Sequence, residues 1–351
     1  MDEVLRHEAR ATIDDVATRA GVSIKTVSRV VNNEPNVREA TRERVQAAIR
    51  ELNYRPNASA RRLAGNRSFL FALVYDDPSA YYNASANYAT NLHGGALKMA
   101  RASGYDLLVH PCEYRSPSLV EEIRQLVDHT RVDGLILVPP LAEIEPVISA
   151  LREMEKPFIR VSPGEVKGFD AVHTNDREVC AEMVRYLASL GHERIGFIKG
   201  HKHHRALANR EKGYRDGLKE AGLTFRKSLV MDGDSSFDSG VACGARLLSR
   251  KYRPTAIFAV NDDMAAGVLH AALDMGIGVP SEVSVAGFDD VPLSRQVWPT
   301  LTTIHQPVYE MAEKAAELLF RQIAGERLTE RSVLKSRLVI RDSTGPAPSS
   351  D

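Results

Sequence analysis

From residue 68 onward, short apolar runs of strand length alternate with longer amphipathic segments, and this alternation limits the fold more than any other feature. Strands that read as continuous apolar runs are buried on both faces, which is typical of parallel sheets covered by helices. The order occurs twice, so we predict two similar α/β lobes with a ligand cleft between them. The predicted strands are 69–75, 105–111, 133–140 and 156–163 in the first set, and 171–176, 194–200, 229–234, 256–262 and 284–290 in the second. The predicted helices between them are 86–103, 119–129, 144–154, 178–190, 210–221, 240–249 and 264–275.

Composition fits a chain of several domains. The 351 residues are 43% apolar, enough for two or three packed cores. Residues 1–65 hold 12 Lys and Arg against 9 Asp and Glu, a net of +3, while the remainder has a net of −3, which favours a nucleic-acid-facing N-terminus. There is no N-terminal apolar signal, no run of about 18 apolar residues and no CxxC pair. We therefore expect a soluble, cytoplasmic protein that does not bind a membrane and has no thiolate metal site.

The N-terminal stretch predicts three short helices. Thr12 can cap the first, because its oxygen can accept an orphan amide and the acidic residues that follow suit the helix dipole. Gly21 ends that helix, since glycine tolerates positive φ. Ser23 caps the second helix, and a third is expected over residues 38–53, before the break at Pro56.

The second helix has an apolar inner face and a polar outer face. Two helices joined by a short turn containing glycine, the second polar outward, are typical of a helix-turn-helix. The alternative is a small helical bundle without a DNA-binding role, and the turn at residues 21–23 favours the DNA-binding interpretation. The inner residues are Val27, Val30 and Val31, and the outer ones are Ile24, Lys25, Ser28, Arg29 and Asn32.

The run DVATRAGVSIKTVSRVVN, followed by ELNYRPNASARRLAG, resembles the DNA-binding headpiece of the lactose-repressor (LacI/GalR) family. In that family the second helix lies in the major groove, so the resemblance implies base reading by Ile24, Lys25 and Arg29. A lysine or arginine can donate to guanine acceptors, and an isoleucine can offer an apolar contact to a thymine methyl. Phosphate contacts, which fix register, are expected from Thr12, Ser23, Ser28, Asn32 and Tyr54, with capping or solvation as the alternative for Ser28 and Asn32. The DNA-binding set also includes Thr26, Asn57 and Ala60.

The segment after Pro56 resembles the hinge helix of the same family. Asn57 caps residues 58–63, and Gly65 ends the segment. Leu63 sits where the family inserts a leucine into the minor groove, an apolar wedge that unstacks a base step and bends the duplex. Without the resemblance, ordinary packing is the alternative for this leucine. So short a helix is marginal in isolation, so we expect it to form only with DNA and a second copy of the chain.

The later segments GHERIGFIKG, REKGYRDGL, AIFAVNDDMAAG, SVAGFDD and LTTIHQP resemble the family's core, which shares its fold with periplasmic sugar-binding proteins. The fold class implied is an N-terminal all-α helix-turn-helix headpiece plus an α/β bilobed core of the periplasmic-binding-protein type, with two doubly wound parallel-sheet lobes. The chain is expected to cross between lobes near 165–175, 304–307 and 330–336. The implied domains are a helix-turn-helix at 12–56, a hinge helix at 57–66 and a core at 67–344, with lobe 1 at 68–170 plus 308–332 and lobe 2 at 171–303 plus 334–344.

Candidate effector-binding residues lie at the predicted strand ends, where carboxylates and amides can pair with hydroxyl groups and aromatic rings can stack on apolar patches. They are Asp76, Asp77, Tyr81, Tyr82, Asn261, Asp262 and Asp289. The resemblance adds Arg210, at the position of the family's effector-binding arginine, and Phe237, at an aromatic that often lines the pocket. Capping of the following helix is the alternative for Asp262, and surface packing is the alternative for the two tyrosines. Trp298 is predicted to pack in a core.

Metal and catalytic motifs are absent from the sequence. The cluster HKHHR at 201–205 lacks the i, i+4 spacing of a helical metal pair, which favours a solvated loop. There is no GxSxG elbow, no phosphate loop ending in GK[ST], no GxGxxG after a strand and no HExxH. In the adjacent acids Asp262-Asp263 and Asp289-Asp290 we expect one member to bind ligand or cap a helix and the other to face solvent. The chain is predicted to be no enzyme and to need no cofactor.

Together these features predict a homodimeric repressor of a carbohydrate-utilisation operon. Two headpieces would bind a palindromic operator, and a small effector, a sugar or sugar derivative, would change the separation of the hinge segments by moving the lobes. The chain stops without the leucine heptad that joins dimers in some relatives, which favours a dimer over a tetramer. The rivals are a periplasmic binding protein, which leaves the first 65 residues unexplained, and an enzyme, which no motif supports. The effector, the operator and the direction of the response are left open.

Overall fold

A computed structural model describes residues 11–31, 37–54, 67–76, 86–164, 168, 170–200, 205–329 and 331–349 of the chain. The chain divides into two compact units, Met1–Phe69 and Leu70–Asp351. Several predictions lie outside the described residues: the hinge helix at 57–66, the histidines at 201–204, and the site residues Asn32, Asn57, Ala60, Leu63, Asp77, Tyr81 and Tyr82.

The N-terminal unit is built from α1 (Ile13–Ala20), α2 (Ile24–Val31) and α3 (Glu39–Glu51). A capping box starts α1, because the Thr12 hydroxyl accepts from the Asp15 amide at 3.3 Å while the Asp15 carboxylate accepts from the Thr12 amide at 2.7 Å. Gly21 ends α1 with a φ of +64°, a conformation that suits glycine. The three predicted helices and their caps are therefore present.

A small apolar core holds these three helices together. Val16, Val27 and Val45, one from each helix, are fully buried where the helices meet. Burying a branched aliphatic side chain stabilises a fold by about 1.5–3 kcal/mol, so these valines contribute much of the stability of so small a unit. The remaining buried members of the cluster are Ala17, Ala20, Val30 and Ala48.

The second unit alternates strands and helices as its apolar pattern predicts. Its first half contains β1 (Leu70–Asp76), α4 (Ala86–Ser103), β2 (Asp106–Cys112), α5 (Leu119–Thr130), β3 (Gly134–Leu137), α6 (Glu145–Glu153), β4 (Phe158–Val161) and β5 (Ala171–Thr174). Its second half contains α7 (Asp176–Ser189), β6 (Ile195–Lys199), α8 (Arg205–Glu220), β7 (Val230–Asp232), α9 (Phe237–Leu248), β8 (Ala256–Ala259), α10 (Asp262–Asp274), β9 (Ser284–Ala286), α11 (Leu293–Gln296), β10 (Thr303–His305), α12 (Val308–Ile323), β11 (Ser332–Leu334) and β12 (Arg337–Val339).

Two parallel sheets define the two lobes. The first has the order β11-β5-β4-β3-β1-β2 and the second the order β7-β6-β8-β9, while β10 and β12 form a separate antiparallel pair. The first sheet carries an apolar cluster on each face, and one cluster fills the second lobe. The chain passes between the lobes after β5, after β10 and after β11.

The boundary between the lobes differs from the prediction in one place. Residues 171–176 are predicted to belong to the second lobe. In the structure, β5 pairs in parallel with β4 and belongs to the first sheet. Val172 of β5 is fully buried in the first-lobe cluster, so its burial fixes the strand there. The second lobe therefore begins after Thr174, not at residue 171.

The last two strands of the chain, β11 and β12, are close in sequence but lie in different sheets. β11 extends the first sheet beside β5, and β12 pairs with β10. Between them the Ser336 amide donates to the Asn175 side-chain oxygen at 2.7 Å, which ties two of the lobe crossings together. This contact between residues 161 apart cannot be read from local pattern.

The helix α12 closes one face of the first sheet although it comes late in the chain. Met311, Ala315 and Leu319, which share one face of the helix, are fully buried against that sheet. Gly95 on α4 allows the close approach, because an added Cβ would lie 2.1 Å from the Tyr309 carbonyl oxygen. No helix in the described ranges is long and apolar enough to cross a membrane.

Trp298 does not pack in a core as predicted. It follows α11 and is 87% exposed. The neighbouring Leu301 is fully buried and fills the second-lobe core beneath this loop, which leaves the indole at the surface.

Candidate functional site

The outer face of α2 is the candidate DNA-reading surface. Ile24 is 47% exposed and Lys25 is also exposed, while Val27 and Val30 point into the headpiece core. A helical period of 3.6 residues therefore fixes the outward direction of the predicted base-reading side chains. Ser28 and Arg29 lie on the same helix and are half-buried.

The predicted phosphate-contacting residues also have structural roles. The Ser23 hydroxyl accepts from the Thr26 amide at 3.2 Å and lies 2.9 Å from the Thr26 hydroxyl, so Ser23 caps α2. The Thr12 hydroxyl donates to the Asp15 carboxylate at 2.7 Å, and Tyr54 packs against the headpiece core. Their contacts with DNA stay predictions.

The second candidate site is centred on Arg210 of α8, which is 5% exposed. Its Nε donates to Asp176 at 3.0 Å. Its Nη1 donates to the Val260 carbonyl and to Asp289 at 3.4 Å, and its Nη2 donates to Gln306 at 3.4 Å. The charges of Asp176 and Asp289 outweigh the effect of burial and raise the pKa of Arg210, so the guanidinium remains charged.

One aromatic ring stacks on this guanidinium. The Arg210 carbon Cζ lies 3.4 Å from the centroid of the Phe288 ring, a stacked cation–π arrangement. Phe237, the first residue of α9, is 36% exposed, and its ring centroid lies 5.7 Å from that of His270 rather than against Arg210. The Arg210 cluster thus combines a fixed cation, carboxylates and the ring of Phe288.

Asp289 is held in an environment that disfavours its charge. Burial raises its pKa to about 7, and Arg210 offsets this only in part. Its backbone has a φ of +108°, and Asp290 and Ser235 also have positive φ. Non-glycine residues in this region carry strain and concentrate at ligand sites.

Tyr88 of α4 brings the first lobe to the same cluster. Burial raises the pKa of its hydroxyl, and the negative charge of Asp289 raises it further, so the two groups are close. Asp76, by contrast, accepts from the Tyr114 amide at 3.0 Å at the end of β1 and does not contact Arg210.

The polar residues at the start of α10 make different contacts. The Asn261 side chain accepts from the Met264 amide at 3.0 Å and donates to the Ser235 carbonyl at 2.8 Å, so Asn261 is the N-cap. Asp262 accepts from the Val291 amide at 3.0 Å and from the Thr303 hydroxyl at 2.5 Å. The alternative that Asp262 caps α10 is therefore wrong.

Neither second member of the paired acids faces solvent, contrary to the prediction. Asp263 is buried, and burial raises its pKa to about 6. Asp290 is bound by Arg341 at 2.5 Å and by His305 Nδ1 at 3.0 Å. Asp263 stays inside because it lies in the first turn of the buried helix α10, and Asp290 because Arg341 and His305 bind it.

Sequence reasoning missed several residues that the structure brings together. Asp176 ends the predicted strand 171–176, and Gln306 lies in the segment LTTIHQP that resembles the family's core, so both positions carried a signal that was not used. Tyr88 lies within a helix and Phe288 within an apolar run, and neither position carried a signal of a binding role. The described residues contain no group of three side chains that could hold a metal ion.

Known protein families match both units of the chain. Residues 12–57 match the family described as bacterial regulatory proteins, lacI family, and residues 184–344 match the periplasmic binding protein-like domain. The HTH-type transcriptional repressor PurR of Shigella dysenteriae serotype 1 (strain Sd197) is 36% identical over 346 residues, 97% of this chain and 99% of that protein.

Two solved structures share the fold over nearly the whole chain. A lac repressor dimer bound to operator and the anti-inducer ONPF has a TM-score of 0.78 at 28% identity, covering 96% of this chain and 100% of that one. A complex of the transcriptional regulator CelR with cellobiose has a TM-score of 0.72 at 30% identity, covering 95% and 100%. These relatives are transcriptional regulators and not enzymes, which confirms the prediction that the chain is no enzyme. The two solved structures confirm the predicted fold class. The chain belongs to the LacI family of bacterial regulatory proteins and is a transcriptional regulator with a helix-turn-helix headpiece and a two-lobed α/β core.

Proposed function

We propose that this regulator is a homodimeric repressor of a carbohydrate-utilisation operon, and that a small sugar-like effector bound between the core lobes controls its affinity for DNA. The observation that carries the proposal is the buried Arg210 cluster, which gathers hydrogen-bonding groups and aromatic faces from both lobes.

The chemistry of the cluster suits a sugar. Ring hydroxyls can donate to Asp289 and accept from Arg210, and the apolar faces of a sugar ring can stack on Phe237. The related CelR binds cellobiose, which supports a carbohydrate for this chain. The other predicted contacts, from Asp76, Asn261 and Asp262, carry less weight, because the protein itself engages their polar atoms.

The DNA partner is proposed to be a palindromic operator read by two headpieces. In a two-fold dimer each α2 enters the major groove of one half-site, with Ile24, Lys25 and Arg29 towards the bases. The related lac repressor binds its operator as a dimer, which supports this arrangement. The proposed minor-groove wedge at Leu63 lies outside the described residues and is kept as part of the same proposal.

The coupling between the sites would run through the lobe crossings. A ligand that touches both Tyr88 of the first lobe and Arg210 of the second favours one arrangement of the lobes by its difference in affinity for the two. That arrangement would set the separation of the two hinge segments in the dimer and so decide whether both headpieces reach their half-sites.

The proposal is tested by selecting DNA palindromes from a random pool and repeating the gel shift with a panel of neutral sugars. We expect one operator whose affinity changes with one sugar. The Lys25→Ala variant should lose about 1–3 kcal/mol on that operator and less on random DNA, while its sugar response is kept.

Two results would contradict parts of the proposal. Equal losses of Lys25→Ala on all sequences, with only a smaller salt dependence, would make Lys25 a phosphate contact. An unaltered sugar titration in Arg210→Ala would place the effector elsewhere. For Leu63→Ala, a loss on operator no larger than on random DNA would remove the wedge.

A further inference from the structure

One carboxyl in the core lacks the hydrogen bonds that its neighbours have. Asp263 is 5% exposed, and its Oδ1 is buried without any hydrogen-bond partner. On either side, Asp262 uses both carboxylate oxygens and Met264 donates its amide to the Asn261 cap. Leaving a buried acceptor unpaired costs roughly 1–3 kcal/mol, so such groups in folded proteins call for an explanation.

The position of Asp263 ties it to the effector pocket. The charge of Asp263 contributes to raising the pKa of Asp289, so the two carboxyls are close. Along α10, Asp263, Gly267 and His270 share one face, because they are four and three residues apart. That face meets the start of α9: a Cβ on Gly267 would lie 2.3 Å from the Phe237 carbonyl oxygen, and the His270 ring is beside the Phe237 ring.

Asp263 lies in the first turn of α10, and this end of the helix lies beside the Arg210 cluster, because Arg210 donates to the Val260 carbonyl and Asp262 accepts from the Val291 amide. Its Oδ1 has no donor to satisfy it among the residues that the structure describes. Burial raises the pKa of Asp263 to about 6, which agrees with a carboxyl that no cation stabilises.

The charge balance of the pocket limits what can enter it. Arg210 is the guanidinium of the cluster, and Asp176 at 3.0 Å and Asp289 at 3.4 Å already compensate its charge. Asp263 adds a further negative group. A phosphate or carboxylate placed here would meet like charges at low dielectric, whereas a hydroxyl or an ammonium group would supply the missing donor.

We propose that Asp263 is a specificity-determining residue that accepts a hydrogen bond from a hydroxyl or protonated amine of the effector, and that this pocket excludes phosphorylated and carboxylated effectors. The inference rests on the proposed function, in that it takes the Arg210 cluster to be the effector site. It adds the contact to Asp263 and the charge class of the ligand.

The first test needs no ligand and compares Asp263→Ala with Asp262→Ala, the adjacent and fully partnered acid. Thermal unfolding of the unliganded protein should show Asp263→Ala unchanged or raised by roughly 2–4 °C, because a strained buried acceptor is removed. Asp262→Ala should melt at a lower temperature, because the Val291 amide and the Thr303 hydroxyl lose their acceptor. A comparable drop in both variants would make Asp263 a structural residue and overturn the proposal.

The second test uses matched probes that differ in charge: D-glucose, glucosamine and glucose 6-phosphate, and cellobiose, cellobiosamine and cellobiose 6-phosphate. Binding is measured by calorimetry to the full chain, to Arg210→Ala and to Asp263→Ala. We expect a neutral or amino sugar to bind and its phosphorylated partner not to bind. Asp263→Ala should weaken the bound probe by roughly 10- to 100-fold.

The two variants and the probes separate the role of Asp263 from the proposed effector site around Arg210. A sugar that is lost in Arg210→Ala but binds Asp263→Ala with unchanged affinity would overturn the role of Asp263 and leave the proposed function standing. A phosphorylated probe that binds and requires Arg210 would overturn the charge class. Binding that survives in Arg210→Ala, or no binding by any probe, would count against the sugar site itself and against this inference with it. Stronger weakening of the amino sugar than of the neutral sugar in Asp263→Ala would identify the donor as an ammonium group, and equal weakening would identify a hydroxyl.

Discussion

The outer face of α2 and the Arg210 cluster hold their recognition residues in opposite ways. On α2 the side chains proposed to meet DNA stand outward from a helix whose stabilising contacts lie on its other face. In the core, the recognition groups are buried and are each other's partners: Arg210 binds Asp176, Asp289 and Gln306, which are 34, 79 and 96 residues away in sequence. The first site is separable from folding, and the second is part of the fold.

This difference follows from the ligands. A DNA groove is large and keeps its own shape, so a few exposed side chains on a rigid helix suffice to read it. A small molecule offers few atoms, so its site must exclude water and hold its polar groups in place before binding. Substitutions should therefore separate function from stability on α2 and combine them at the cluster, and four variants test this contrast.

The largest effect is expected for Arg210→Ala. Removing the guanidinium leaves Asp176 and Asp289 buried without their cation, which should lower the free energy of unfolding of the core by about 3–5 kcal/mol. Urea denaturation measures this loss. The control is Arg215→Ala on the same helix, where a half-exposed guanidinium pairs with Glu211 and stacks on Phe225, contacts that should together contribute only about 1 kcal/mol. Equal losses in the two variants would mean that the cluster is not a stabilising element.

Val27→Ala tests the separation within α2. Val27 is fully buried, and removing two methyl groups should destabilise the headpiece by about 2 kcal/mol and abolish operator binding at 37 °C. The matched control is Ile24→Ala one turn earlier, which should leave headpiece melting unchanged and alter only base preference. Headpiece melting by circular dichroism and gel shift give the two readouts, and a stability loss in Ile24→Ala would break the contrast.

The pH dependence of stability should report on Asp263. Its pKa of about 6 in the folded chain lies above that of an unfolded aspartate, so the folded state binds this proton more tightly. Wild-type stability should therefore fall relative to Asp263→Asn as pH rises from about 4 to about 6, and the difference, about 3 kcal/mol, should then level off. Urea titrations across this range decide it, and a difference that is independent of pH would refute it. Because the charge of Asp263 helps to raise the pKa of Asp289 to about 7, the pKa of Asp289 should itself fall in Asp263→Asn.

Thr12→Ala should have the smallest effect. The variant loses the capping box of α1 and about 1 kcal/mol of headpiece stability. Thr18→Ala, at an exposed position in the same helix, keeps the cap and should be neutral or slightly stabilising. If Thr12→Ala weakens DNA binding at temperatures where the headpiece remains folded, its predicted phosphate contact gains support.

The local structure of the chain could be predicted from the sequence alone. The caps at Thr12 and Gly21 and the inner face of α12 follow from spacing and residue type, because each depends on atoms within one or two turns. Asp289 was a candidate from its place at the end of a predicted strand and Arg210 from the family resemblance, and the structure brings them together.

What sequence could not supply depends on long-range packing. β5 joins the first sheet because Val172 finds its core there, and the indole of Trp298 is displaced by Leu301, a choice between two apolar residues that periodicity does not make. The missing partner of Asp263 is a property of the surroundings of one oxygen atom. Tyr88 reaches the site only because α4 of the other lobe ends there.

The late position of α12 has a consequence for synthesis of the protein. The first four strands of the first sheet and β5 are complete by residue 174, but the helix that covers one of its faces begins at residue 308. At about 5–20 residues per second, the ribosome needs roughly ten seconds to make the intervening chain. During that interval the nascent sheet keeps a face open that Met311, Ala315 and Leu319 will later bury. The headpiece, made first, is then tethered to an unfinished lobe, so we expect newly made chains to need chaperone protection before they can respond to any effector.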